Sequence, residues 1–169
     1  GSALDAVIAA QFVLGLVEPQ SSGIGGGAFL MLTNGRTLQA WDGREVAPAE
    51  ATASLFLDPQ GKPLAFSAAL VGGRAVGVPG VLRMLEAAHR TQGRLPWARL
   101  FEPAITLAEN GFPVSPRLHR QLEGDDFLRG DPVARDLFYT ADGRALAAGA
   151  MLRNPEYAAV LRELAAHGA

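Results

Sequence analysis

An apolar stretch opens the chain, running from Ala6 to Val17 with only Gln11 and Gly15 breaking it. Ser2 stands before it with Asp5 three residues on, the spacing at which a hydroxyl and a carboxylate satisfy the free N–H groups of a first helical turn. The pattern predicts a helix to Val17. Next comes "EPQSSGIGGG", then the unbroken apolar run Ala28 to Leu32. The order reads helix, loop, strand. Asn34-Gly35 lies between that run and a second one, Leu38 to Trp41, which predicts an antiparallel hairpin. The second strand should end at Trp41-Asp42-Gly43, since "REVAP" follows and Pro48 blocks regular pairing. Arg44 therefore stands at a strand end.

From Ala49 the chain is expected to turn helical and proline-punctuated, with Asp58-Pro59-Gln60-Gly61 a turn. Pro79 sits at the start of a helix through Leu82, Leu85 and Ala88 that Gly93 closes. Pro96 and Pro103 each suit a first helical turn, so "LPWARLFEPAITLAENG" predicts two short helices or one kinked one, ending at Gly111. Ser115-Pro116, Asp131-Pro132 and Asn154-Pro155 repeat a cap followed by proline. The second half is predicted mostly helical. No repeat period or flexible linker divides the chain, and both ends read as cut rather than finished.

Composition narrows the chemistry. With 169 residues and 49% hydrophobic content the chain can bury a sizeable core without staples. Zero cysteines exclude a disulfide framework, a thiolate nucleophile and a sulfur-ligated metal. A formal charge of −2 offers no general attraction to nucleic acid or anionic lipid. No apolar run is long enough to span a bilayer as a helix. His89, His119 and His167 lack metal-ligand spacing and are expected on helix surfaces. "GGGAF" is not a nucleophile elbow, and no serine stands in one. Glu123-Gly124-Asp125-Asp126 reads as a solvated turn, and Trp97 with Phe101 as a core or interface stripe.

Gly23 to Gly27 admit two readings. A phosphate cradle needs a helix N-terminus directly after the glycines, whereas an apolar strand follows here. The packing reading, in which missing side chains permit positive φ and close approach of helix and strand, fits the order better.

"SALDAVIAAQFVLGLVEPQSSGIGGGAFLML", "DGREVAPAEA", "GGRAVGVPGVLRMLEAAH" and "LPWARLFEPAITLAENGFPVSPRL" together resemble the N-terminal half of the large subunit of γ-glutamyltranspeptidases, in the family's order and approximate spacing. The resemblance covers nearly the whole chain. It implies an α+β class: a partial N-terminal nucleophile hydrolase fold, an αββα sandwich, with a β-hairpin near the N-terminus and a mostly helical second half. Residues 1–169 would be a single incomplete domain. It further implies a precursor that cuts itself in two and an N-terminal threonine nucleophile on the small subunit, with its own α-amino group as base. That threonine would lie downstream of Ala169. Thr33, Thr37, Thr52, Thr91, Thr106 and Thr140 are internal and lack the free amine, so this chain should carry no catalytic residue and be inactive alone.

Arg44 is the residue the resemblance marks as substrate-binding, since "REVAP" matches the segment whose arginine takes the α-carboxylate of the γ-glutamyl group. A guanidinium suits that role because it offers two parallel N–H donors and stays charged. Glu45 and Asp42 are expected to serve as structural or ion-pair support. The expected partners are a γ-glutamyl small molecule, the remaining large-subunit segment and the small subunit; no cofactor and no metal are implied. The implied location is periplasmic or extracellular. A glutaryl or cephalosporin acylase of the same fold, and a non-catalytic structural or binding fragment, remain alternatives.

Overall fold

Helix α1 (Ala3–Val17) starts as a complete capping box: Ser2 Oγ accepts the Asp5 backbone N–H, and the Asp5 carboxylate accepts that of Ser2. The computed structural model describes residues 1–169. Leu4, Ile8, Phe12 and Leu16 recur every fourth residue and are all buried, so one stripe of α1 forms the spine of the core. Strands β1 (Ala28–Thr33) and β2 (Leu38–Gly43) form the hairpin, with Ala28 opposite Gly43 and Thr33 opposite Leu38. Its turn spans four residues. Asn34 Oδ1 accepts the N–H groups of Arg36 and Thr37, and Gly35 takes a positive φ of 85°.

The stretch after β2 departs from expectation. Residues 44–65 contain no helix, and only the short α2 (Phe66–Leu70) and a 3₁₀ turn, Gly73–Ala75, follow before α3 (Val81–Gln92). Pro48, Pro59 and Pro63 withhold backbone donors, and the segment buries no apolar stripe to support a helix. The remaining helices are α4 (Glu102–Asn110), α5 (Pro116–Glu123), α6 (Asp126–Gly130), α7 (Pro132–Phe138) and α8 (Pro155–His167). Ser115, Asp131 and Asn154 each cap the helix that follows with a side-chain oxygen, as their sequence context predicts. The Glu123–Asp126 segment is more than a turn, since Asp125 caps α6 through the Leu128 N–H at 2.9 Å. Trp97 begins a 3₁₀ turn, Trp97–Leu100, before α4, so the expected pair of short helical pieces is present. A second two-stranded sheet, β3 (Phe112–Pro113) with β4 (Met151–Leu152), has no counterpart in the sequence reading.

Two apolar clusters result. One joins α1, Leu30 of β1, α3, Leu100, Phe101, Ala104 and Leu161. The other joins Leu16, Ala108, Phe112, Val114, α5, Tyr139, Leu152 and Ala158. Phe101 is fully buried and stacks on Phe12 with centroids 4.1 Å apart, while Trp97 meets it edge-on. His89 does not sit on the surface as expected. Its side chain is 12% exposed, packs beside Trp97 and bonds the Leu95 carbonyl at 2.9 Å. His119 is likewise half-buried on the Leu146 carbonyl, and His167 alone is exposed.

The hairpin is one-sided. Leu30 is buried and Ala28, Leu32 and Trp41 pack with it against the helical core, while Phe29, Met31 and Leu38 stand exposed on the other face. Alternation along the strands makes this a consequence of register.

Candidate functional site

Arg44 lies immediately after β2, and the backbone around it is pinned from several directions. Asp42 Oδ1 accepts the Arg44 N–H at 2.9 Å. Val46 and Val78 exchange both backbone hydrogen bonds, at 3.3 and 2.9 Å, so the segment leading to α3 closes over the REVAP stretch. Gly43 and Gly80 make this possible. A Cβ on Gly43 would lie 2.6 Å from Met84 Cβ, and one on Gly80 would lie 2.5 Å from the Gly43 carbonyl oxygen. Neither position tolerates a side chain without movement of β2 or α3. The Gly26 carbonyl in turn accepts the N–H groups of Gly80 and Val81, tying the glycine loop to the start of α3.

Arg44 projects from this rigid base with its side chain 66% exposed, and Nη1 lies 3.2 Å from Glu45 Oε2. Glu45, 30% exposed, turns back against the glycine loop. The expected ion-pair support is present for Glu45, whereas Asp42 acts on the Arg44 backbone rather than on its guanidinium. None of Gly23 to Gly27 has a positive φ, so conformational freedom is not what these glycines supply. A polar cleft of about 510 Å³ opens beside them, bordered by Gln11, Ser21, Ser22, Gly27 and Glu45. The loop's other end is tethered through Arg117, which donates to Ser21 Oγ at 3.0 Å, and through Gln11, which donates to the Gly23 carbonyl at 3.3 Å.

Chemically, the arrangement offers a cationic fork at a strand end, paired with the Glu45 carboxylate and open to a further anionic group. Sequence reading singled out Arg44 but missed Gly43, Val78 and Gly80 as its supports, and Gly77, where a Cβ would lie 3.0 Å from Glu45 Cβ and 3.3 Å from the Val46 carbonyl oxygen. "GGRAVGVPG" carried a signal for them, since glycines so dense before a helix mark close backbone approach.

Comparison with known proteins decides the lineage. The family model described as gamma-glutamyltranspeptidase matches residues 1–169. The chain belongs to that family. It is 43% identical over 140 residues to the glutathione hydrolase proenzyme of Bacillus subtilis (strain 168), covering 82% of this chain and 24% of the relative. Against glutathione hydrolase 2 of Arabidopsis thaliana the identity is 42% over 173 residues, 99% of this chain and 28% of the relative. The crystal structure of Helicobacter pylori gamma-glutamyltranspeptidase matches with a TM-score of 0.92 at 31% identity, covering 99% of this chain and 48% of that chain. The chain thus spans about a quarter of the length of these two curated relatives. No helix is long and apolar enough to cross a membrane.

Proposed function

We propose that this chain forms part of an enzyme that hydrolyses or transfers the γ-glutamyl group of glutathione-like compounds, with Arg44 taking the α-carboxylate of the donor. The observation that carries the reading is Arg44 itself: the residue marked by the family's REVAP-like segment stands at the end of β2, on backbone braced by Asp42, Gly43, Gly80 and the Val46–Val78 bridge. Such bracing suits a ligand that must orient a substrate. The reaction follows from the resemblance. A threonine outside this chain attacks the γ-amide, and the acyl-enzyme passes to water or to an amine. This chain's part is to hold the glutamyl end in place while that attack occurs.

Residues 1–169 are then one incomplete domain of the large subunit, completed by its remaining segment and by the small subunit into the αββα sandwich. Support for that completion comes from the exposed Phe29, Met31 and Leu38 on one face of a two-stranded sheet, the kind of surface a second layer covers. We read the intact enzyme as periplasmic or extracellular, on the family resemblance alone.

The test uses the full-length enzyme and two donors, one with a free and one with an amidated α-carboxylate. Arg44→Ala should cost about 2 to 5 kcal/mol in kcat/KM for the free donor, as when one side of a desolvated charge pair is removed. Arg44→Lys should fall between, since it keeps charge and loses the fork. Amidation should injure the parent enzyme badly and Arg44→Ala little; equal losses in both would refute the assignment.

A further inference from the structure

A cavity of about 550 Å³ opens between α5, α6 and the turn after α7, beside the apolar cluster that contains Phe112 and Tyr139. None of the elements that brace Arg44 takes part. Three basic side chains border it, His119, Arg129 and Arg144, against the single carboxylate of Glu123, on a chain whose formal charge is −2. Even with His119 neutral the lining is cationic.

Arg129 is the residue whose charge the fold leaves open. Its guanidinium lies over the Tyr139 ring, 5.4 Å from the centroid, and Tyr139 is itself pinned by donating to the Leu122 and Asp125 carbonyls at 2.9 and 3.1 Å. The cationic head is therefore held in place. Yet Nη2 reaches only the Glu123 carbonyl, at 3.3 Å, Nη1 lies 3.6 Å from the highly exposed Asp126 carboxylate, and the buried Nε donates to nothing. A guanidinium carries five donors, and an exposed ion pair is screened by water. Further acceptors have to come from the cavity, where the side chain is 40% exposed. Glu123 does not supply them, since its carboxylate lies 3.6 Å from the His119 imidazole and pairs with neither arginine. The wall made by the turn is rigid: the Thr140 N–H donates to the Arg144 carbonyl at 2.8 Å, the Arg144 N–H to Thr140 Oγ1 at 3.2 Å, and Gly143 takes a φ of 80°. From it the Arg144 side chain extends into solvent, holding Asp142 at 2.7 Å with donors to spare.

We propose that this cavity binds a small oxyanion, a phosphate or carboxylate group, with Arg129 as its fixed ligand and Arg144 as an exposed second one. Two oxygens of such a group can meet a guanidinium together, and that geometry suits a head already immobilised on an aromatic face. Occupancy then stabilises the folded state by mass action without touching the γ-glutamyl donor.

The test is calorimetric titration of the full-length enzyme with inorganic phosphate and, separately, with succinate, in an amine–chloride buffer of fixed ionic strength. Arg44→Ala serves as the background, so that carboxylates taken up at the donor site add no heat. Binding with a Kd of about 1 mM is expected, weakened about tenfold or more by Arg129→Gln and about threefold by Arg144→Gln, with Arg129→Lys intermediate. Whichever probe binds more tightly names the oxyanion for which the cavity is built, and either supports the site. With Arg44 intact, Arg129→Gln should leave kcat/KM for a γ-glutamyl donor within about twofold of the parent, and a larger loss counts against a separate site. No saturable heat with either probe overturns the proposal, as does binding that both glutamine variants leave unchanged. Should Arg129→Gln not fold, Arg144→Gln on its exposed turn decides.

Discussion

Replacing Asp5 tests the central joint of the fold. Asp5 is 2% exposed in the first turn of α1, and its carboxylate accepts backbone N–H groups from Ser2 at 2.5 Å, from Arg94 at 3.1 and 3.3 Å, and from Leu95 at 3.3 Å. It therefore caps α1 and also ties that helix to the turn after α3. Asp5→Ala leaves three backbone donors without their acceptor. Each would cost about 1 to 3 kcal/mol if sealed from water, but Ser2, Arg94 and Leu95 lie nearer the surface than Asp5 and water can replace part of the loss. The expected total is about 2 to 4 kcal/mol, read as a fall in the urea midpoint with an unchanged slope. Asp5→Asn keeps one acceptor oxygen and should cost less. The pH dependence supplies a second check. Burial pushes the Asp5 carboxyl up, but the hydrogen bonds from Ser2, Arg94 and Leu95 outweigh it and hold the group down at about 2, against an ordinary value of 3.8. A pKa lowered by folding stabilises fully above the unfolded value, and that contribution is lost as pH falls through the folded one. Between about pH 5 and about pH 2 the difference between parent and Asp5→Ala should hence shrink; His89 Nε2 lies 3.7 Å from Asp5 Oδ1 and adds an ion pair whenever it is protonated, so the test is confined to that range. A difference that is negligible at neutral pH, or that grows as pH falls from about 5 to about 2, would refute the reasoning.

Gly43→Ala should destabilise the chain by about 1 to 3 kcal/mol, because its Cβ would press on Met84 Cβ at 2.6 Å; an unchanged urea midpoint would count against the close approach. The exposed apolar face of the hairpin should make the isolated chain self-associate at micromolar concentration, and Phe29→Lys with Met31→Lys should reduce this in sedimentation while leaving the far-ultraviolet spectrum unchanged. Association that persists in the double variant would place the sticky surface elsewhere.

The features legible in the sequence are those whose causes lie within three or four residues. Ser2 with Asp5, Ser115, Asp131 and Asn154 each cap the backbone just ahead of them, and Asn34-Gly35 folds its own turn, so local chemistry sufficed to place α1, α5, α7, α8 and the hairpin. Arg44 at a strand end was readable for the same reason, although its marking as a ligand came from the resemblance of the surrounding segment. Tertiary structure decided the rest. Nothing local distinguishes Gly27, which seats Glu45, from Gly25, which borders open space, because the difference is made by a strand end and by Gly77 far along the chain. His89 looked like a helix-surface residue until the turn carrying Leu95 and Trp97 folded over it. Phe112 pairs with Leu152 only because α4 and α8 pack together and bring their flanks into register. Residues 49–65 formed no helix because a helix draws its stability from a buried face, and whether a neighbour covers a face is a property of the whole fold rather than of the segment.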